Sequence, residues 1–408
     1  MKSLRCKIIL GVLYMIDITN CELIASDFEG SERKFAIFYN GQTYMIKEPD
    51  PIREKNNQLS YMNNTFSEHI GCRIFSMLGM PVQETFLANY TRPDGKTEVV
   101  VACRDFRVAG QQLYEADKYA KSIIASKNIS KPDFQEIEKI FERVEPQMTA
   151  DSRQRFWDTF VVDALIGNKD RHLGNWGFLS KDKIHLELAP IYDCGSSLGA
   201  LIDESKIQKC LEQPGIMSNT ELNILARFKI NGKSVTYKDM LLNPSPQLKK
   251  SIKNIVPKIN LDKINELVDS IPKLPNNRKE FIKKSIAMRY EQILICALKK
   301  IQKQEKITEN ELHAQNTSNK YECVFVDKYN KALYKYGDLD LVAIKACKEV
   351  IKYGSDMVKA MMIMHALLPK AQEDSMYPMK IINKVREDAE IAKLIAHREK
   401  SRDKGQSR

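Results

Sequence analysis

The chain has 408 residues, 43% apolar and 29% charged, with a formal net charge of +11. That length and balance suit a folded protein of two or three structural units and exclude a disordered or collagen-like chain. Nine cysteines without a C-x-x-C pair exclude a disulfide scaffold and a zinc module, and predict buried thiols in a reducing compartment.

The basic surplus is uneven. Residues 245–306 hold 15 Lys/Arg against 6 Asp/Glu, and the last sixteen residues hold 6 against 2. Lys-rich solvated faces of amphipathic helices account for this. A face for nucleic acid, anionic membrane or acidic protein is the alternative, but no aromatic-interleaved basic pattern of a nucleic-acid module is present.

In chain order, residues 1–14 place Lys2, Arg5 and Lys7 ahead of the apolar run Ile8 to Ile16. That is the outline of a signal peptide, yet the run is too short to span a bilayer and no small-x-small site follows. An over-annotated start or a weakly structured leader is expected. Phe35–Tyr39 and Thr43–Lys47 alternate as strands around Asn40-Gly41, a strong hairpin signal. The polar stretch Glu29–Lys34 precedes them as a loop. Thr65 opens a helix with Ile70, Ile74, Phe75 and Leu78, closed by Gly79. Within it Glu68 has two readings. Thr65-x-x-Glu68 is a capping box, or Glu68 pairs with the strand residue Lys47. Both hold only if the helix begins before Thr65.

Glu98–Ala102 reads as a buried strand leading into Arg104-Asp105-Phe106. Residues 111–155 read as polar amphipathic helix. Residues 154–167 read as a helix with Phe156, Phe160, Val161, Ala164 and Leu165 on one face, and with Asp158 and Asp163 as structural acids.

Gly167 to Gly195 carries the chemistry. Asp170 and Asn175 form D-x4-N in a polar, Gly-containing loop, and Asp193 follows in Tyr192-Asp193-Cys194-Gly195. Phe178-Leu179 and Ile184–Leu188 look like a two-stranded ribbon that returns Asp193 to the side of Asn175. Phosphoryl transfer needs one carboxylate to orient a hydroxyl and accept its proton. It also needs a carboxylate and an amide oxygen to hold Mg²⁺; hard oxygen donors suit that ion rather than Zn²⁺. Each residue alone could be a loop cap. All three in this order, after an apolar helix and around a ribbon, favour the catalytic reading.

Beyond the loop, Ser196–Gly199 reads as flexible and the chain from Glu221 as helical. Phe281–Ile301 is an amphipathic helix with Ile282, Ile286, Ile293, Ala297 and Ile301 near one stripe. Residues 306–320 are a polar linker candidate. Residues 321–408 form a helical extension with Met357, Met361, Met362 and Met364, ending in a basic tail.

Asn168-x-Asp170-Arg171-His172-x2-Asn175-x-Gly177, followed by Ala189-Pro190-Ile191-Tyr192-Asp193-x-Gly195-Ser196, resembles the catalytic core of HipA-like serine/threonine kinases. The likeness is greatest to their short, secreted, cell-translocating branch. Supporting stretches are Tyr44–Lys47, Phe66–Glu68, Leu78-Gly79, Val82–Thr85 and Val100–Phe106, and the resemblance runs from Met15 to Lys300. It implies an α+β, bilobal protein-kinase-like fold: residues 15–106 as a β-rich N-lobe, 107–305 as a helical C-lobe, and 321–408 as an extra unit. It implies Asp170 as the catalytic carboxylate, Asn175 and Asp193 as Mg²⁺ ligands, and Lys47 on the ATP phosphates with Glu68 orienting it. Ser31 and Lys34 would belong to a phosphate-covering loop, and Arg104 to Phe106 to the connector where backbone meets adenine. His172 would buttress the loop, and Arg171 would pair with an acidic or phosphorylated group.

The implied activity is ATP- and Mg²⁺-dependent phosphorylation of protein Ser/Thr, with self-phosphorylation at Ser31. A kinase for a small molecule or lipid, and an inactive kinase-like regulator that binds nucleic acid or a partner, are the rivals. No membrane span is expected. The implied location is the cytoplasm of the producing cell, with secretion lacking a cleaved leader as the alternative.

Overall fold

The computed structural model describes residues 8–9, 12–13, 15–25, 34–49, 63–123, 131–144, 151–306, 324–325, 328 and 339–393. The chain divides into two compact units, 1–301 and 302–408. In the stretch expected as a leader, β1 (Ile8–Ile9) pairs antiparallel with β2 (Val12–Leu13).

The N-lobe is one six-stranded sheet. Its strands are β3 (Ile16–Asp17), β4 (Glu22–Ile24), β5 (Lys34–Tyr39), β6 (Gln42–Lys47), β7 (Thr85–Thr91) and β8 (Thr97–Arg104), in the order β3-β7-β8-β6-β5-β4. Only β3–β7 is parallel. The β5–β6 turn takes Asn40 and Gly41 to φ 49° and 78°, the left-handed pair that such hairpins require. Period-2 alternation divides the sheet's faces. Ile37, Tyr44, Ile46, Val100 and Ala102 pack on one face. On the other, Met45, Val101 and Cys103 meet α1 (Asn64–Met77) through Ile70, Ile74 and Phe75. Lys47 has the parity of Met45, so it points toward α1.

The C-lobe departs from the sequence expectation at three strands and one packed loop. Residues 111–155 are not helical throughout. They give β9 (Gln112–Glu115), α2 (Ala116–Ile123), α3 (Phe134–Val144) and the start of α4 (Ser152–Ile166). The ribbon of β10 (Gly177–Ser180) and β11 (Glu187–Leu188) therefore has a third strand, in the order β11-β10-β9. Gly177 permits it: a Cβ there would lie 2.3 Å from the Tyr114 carbonyl oxygen.

Ser196–Gly199, expected as flexible, is packed. Ser197 and Leu198 are buried, and Leu198 N–H donates to the Ile166 carbonyl at 2.9 Å. After α5 (Glu204–Glu212) and α6 (Pro214–Leu222), the chain forms β12 (Leu225–Ile230) and β13 (Lys233–Thr236) rather than helix. Asn231-Gly232 turns this hairpin at φ 50° and 76°, repeating the chemistry of Asn40-Gly41.

Helices α7 (Tyr237–Leu242), α8 (Pro246–Ile255), α9 (Leu261–Ser270) and α10 (Asn276–Arg289) follow. Helix α10 runs through a π-helical stretch, Tyr290–Ile295, into α11 (296–306). The amphipathic helix expected over Phe281–Ile301 lies within this longer rod.

In the second unit, α12 (Leu339–Tyr353), α13 (Met357–Leu367), α14 (Pro369–Glu373) and α15 (Tyr377–Arg386) enclose a core that includes Ala346, Val350, Ile363, Met364 and Ile382. The linker candidate lies outside the described residues from 307 onward. Among the described residues, no helix is long and apolar enough to cross a membrane.

Candidate active site

Helix α4 delivers the chain to the site. It ends at Gly167, whose left-handed φ of 65° is a Gly cap; a Cβ there would meet Arg289 Nη1 at 2.9 Å. The following loop is pinned by one buried acid, Asp163. Its Oδ1 accepts from Asn168 Nδ2 at 3.0 Å and from Arg171 Nη2 at 3.2 Å, and its Oδ2 accepts from Arg171 Nε at 2.9 Å. Asn168 Oδ1 in turn accepts the Asp170 N–H at 3.0 Å. Arg171 Nη1 donates to the carbonyls of Asn175, at 2.8 Å, and of Tyr192. One guanidinium thus ties the helix, the loop and the approach to Asp193 together. Burial would lower the Arg171 pKa, but the Asp163 carboxylate and its neighbours hold it well above the usual value. The acidic partner expected for Arg171 is Asp163.

His172 buttresses the loop through Nδ1, which accepts the Gly174 N–H at 3.0 Å. Asn175 Nδ2 donates to the Asp170 carbonyl at 2.7 Å, which commits the amide nitrogen and orients Oδ1 away from it.

On the N-lobe side, Lys47 Nζ lies 3.0 Å from Glu68 Oε2 and 2.9 Å from Asp193 Oδ1. Glu68 Oε1 accepts the Cys194 N–H at 3.0 Å. Helix α1 begins at Asn64, its N-cap Asn63 makes no side-chain cap bond, and both Glu68 oxygens turn inward. This geometry follows the ion-pair reading rather than the capping-box reading. Two glycines permit the close approach. A Cβ on Gly71 would lie 2.6 Å from Cys194 Cβ, and one on Gly195 would lie 3.3 Å from Glu68 Oε2.

The two acids are driven apart. Burial raises the Asp170 carboxyl and Asp193 adds to that, while His172 and Arg227 pull it back; the net direction is up. Burial also pushes Asp193 up, but the Lys47 charge and hydrogen bond, with Arg171 and His172, hold it below the ordinary value. Paired carboxylates pushed apart in this way mark distinct roles. Asp193 itself sits at φ 59°, a left-handed conformation that costs about 1 kcal/mol or more for a non-glycine and clusters at functional sites.

The remaining expected residues are placed as follows. Lys34 lies opposite Lys47 in the β5–β6 register, so it shares that face of the sheet. Arg104 is engaged: its N–H donates to Glu84 O and its carbonyl accepts from Gln83 Nε2, each at 2.9 Å, while its guanidinium reaches Gln42 and Glu84. Phe106 makes no backbone hydrogen bond among the described residues, and its ring tilts over Tyr192 at 5.8 Å. Ser31 lies outside the described residues.

Sequence reasoning missed Arg227. Its Nε lies 3.2 Å from Asp170 Oδ1, and it sits on β12, within the span expected as helix. The Asn231-Gly232 turn was the available signal.

A curled sheet over a mainly helical lobe, with a Lys–Glu–Asp network against a pinned acidic loop, defines a protein-kinase-like phosphotransferase. The HipA-like C-terminal domain model matches residues 26–209. The chain is 32% identical over 293 residues to the serine/threonine-protein kinase CtkA of Helicobacter pylori, covering 69% of this chain and 87% of that protein. It is 28% identical over 138 residues to a putative kinase of Haemophilus influenzae, covering 31% and 39%. The crystal structure of a proinflammatory CtkA from Helicobacter pylori superposes with a TM-score of 0.63 at 30% identity, covering 70% of this chain and 97% of that one. The chain belongs to the HipA-like serine/threonine protein kinases.

Proposed function

We propose that the protein transfers the γ-phosphoryl group of ATP to Ser/Thr hydroxyls of a protein substrate, with Mg²⁺ as the metal. The observation that carries this reading is Lys47 Nζ held between Glu68 and Asp193 at 3.0 and 2.9 Å, across from a loop that fixes Asp170. Lys47 donates to phosphate oxygens and Glu68 keeps it aimed. Lys34 adds positive charge on the same face. The free backbone groups of Phe106, rather than the engaged ones of Arg104, suit an adenine edge.

The donor set fits Mg²⁺. Asn175 offers Oδ1 because its nitrogen is committed, and Asp193 is a carboxylate held in its charged form. When bound, the ion would neutralise phosphate charge. Asp170 accepts the hydrogen bond of the incoming hydroxyl and takes its proton. Its raised pKa is the expected direction for a general base.

Transfer to a generic basic protein, with none to phosphoinositide or choline headgroups, is the outcome that separates this reading from a lipid or small-molecule kinase. Self-phosphorylation at Ser31 belongs to the same proposal. Ser31 precedes β5, the strand paired with the one bearing Lys47, and a phosphate would add about −1.5 to −2 charge there. Mass spectrometry after incubation with ATP and Mg²⁺ should find phosphate on Ser31, and none in Asp170→Asn. An unmodified Ser31 in protein labelled elsewhere would contradict it.

A further inference from the structure

Next to the Asp170 loop the C-lobe opens a cleft whose empty space, open solvent included, is about 630 Å³. One stripe of α4 lines it at helical spacing with Ser152, Arg155 and Thr159, and β12 closes it with Arg227 and Phe228. Asp163, Arg171 and Asn175 also reach it, but the Asp163 carboxylate, the Arg171 guanidinium and the Asn175 amide nitrogen are engaged with one another and with the loop.

Two donors in this cleft have no hydrogen-bond partner among the described residues, Arg155 Nη1 and Ser152 Oγ, both shielded at the atom; Arg227 Nε is shielded as well, but it ion-pairs with Asp170 Oδ1. Ser152 is 1% exposed. No carboxylate forms an ion pair with Arg155 among the described residues, and Asp158, one turn away, accepts from Gln154 instead. Burial lowers the Arg155 pKa, with Asp158 only partly offsetting it. Native proteins seldom leave shielded donors unpartnered, and a guanidinium without a counter-charge is unfavourable. A planar guanidinium fork matches a carboxylate or a phosphate.

We propose that this cleft is a substrate subsite for an anionic side chain, the carboxylate of Asp or Glu or the phosphate of a phosphorylated residue, next to the accepting Ser/Thr. Arg155 and Ser152 receive the anion. The inference rests on the protein-kinase reading of the site. Two observations favour a side chain over a free anion. Arg227 spans from the cleft to Asp170 at 3.2 Å, so a ligand here is continuous with the accepting hydroxyl. The cleft's other walls are aromatic, with Phe156, Trp176 and Phe228, and suit the apolar stem of a side chain.

The test uses the full-length protein and fluorescent peptides with Ala at the acceptor position, flanked by Asp/Glu, by phosphoserine, or by Asn/Gln. Anisotropy should show the anionic peptides binding at least ~10-fold tighter than the amide peptide. That ratio should collapse in Arg155→Gln, fall in Ser152→Ala and partly recover in Arg155→Lys. Arg155→Gln removes an unpaired charge, so its Tm should stay at or above that of the wild type, which separates lost binding from lost folding. Equal binding of all peptides by the wild type, or an unchanged ratio in Arg155→Gln, would overturn the subsite. Inorganic phosphate raising the Tm through Arg155 without any peptide preference would assign a free-anion site and overturn it equally. Matched peptides with Ser as acceptor, assayed with ATP, separate the two readings: binding preference without transfer would sink the kinase reading and leave the subsite standing.

Discussion

Arg171 and Arg155 line the same cleft and have opposite surroundings. Arg171 is held by both oxygens of Asp163 and by two loop carbonyls. Arg155, two turns before Asp163 on α4, leaves Nη1 without a partner. The same contrast divides the site. On one side Lys47, Glu68 and Asp193 already satisfy one another; on the cleft side Arg155 and Ser152 keep shielded donors without a partner. A catalytic frame must be preorganised before substrate arrives, because fixed charges need no rearrangement during reaction. A recognition pocket gains affinity by leaving donors for the ligand to complete.

The strongest way to break the preorganised side is to uncouple Arg171. Asp163→Ala leaves a buried guanidinium without its counter-charge and should destabilise by about 3–5 kcal/mol. Denaturant unfolding should show it, together with loss of activity. A loss below about 1 kcal/mol would mean that the Asp163–Arg171 pair does not hold the frame.

Asp193→Asn should cost at least ~10²-fold in turnover and weaken Mg²⁺-dependent nucleotide binding. Calorimetric titration with and without the metal checks the binding half; metal-independent binding equal to that of the wild type would remove Asp193 from the metal site.

A smaller change probes the border between the two sides. Arg227 lowers the raised Asp170 carboxyl. In Arg227→Gln that carboxyl should rise further. A base is lost as pH falls through its pKa, so the acid limb of kcat/KM should move to higher pH. An unmoved limb, or one shifted to lower pH, would show that Arg227 does not act on Asp170.

Legibility in the sequence followed the same division. The preorganised side was readable because its parts are local patterns: a hairpin signal before Lys47, an apolar helix carrying Glu68, and D-x4-N in a polar loop. The pairing of Lys47 with Glu68 was one of two open readings until the helix start at Asn64 and the inward turn of both carboxylate oxygens became visible. The cleft side was hidden for two physical reasons. Short strands such as Gln112–Glu115 are fixed by long-range pairing, here with Gly177–Ser180, and local periodicity cannot reveal the partner. Arg227 lies on a strand between helices, where the basic, apolar-rich run Leu225–Ile230 also suits an amphipathic helix. Asp163 was read correctly as structural, but no spacing rule announces that it carries the whole loop.

In the proposed mechanism Asp170 serves phosphoryl transfer to protein hydroxyls in a frame set by Lys47, Glu68, Asn175 and Asp193. The most direct measurement incubates purified protein with Mg²⁺ and γ-labelled ATP, alone and with a generic basic protein, for wild type and Asp170→Asn. Label should appear on protein Ser/Thr with the wild type and fall at least ~10²-fold with the variant, while nucleotide binding persists. Equal labelling by both proteins, or wild type that binds ATP with Mg²⁺ yet labels no protein, would contradict the account.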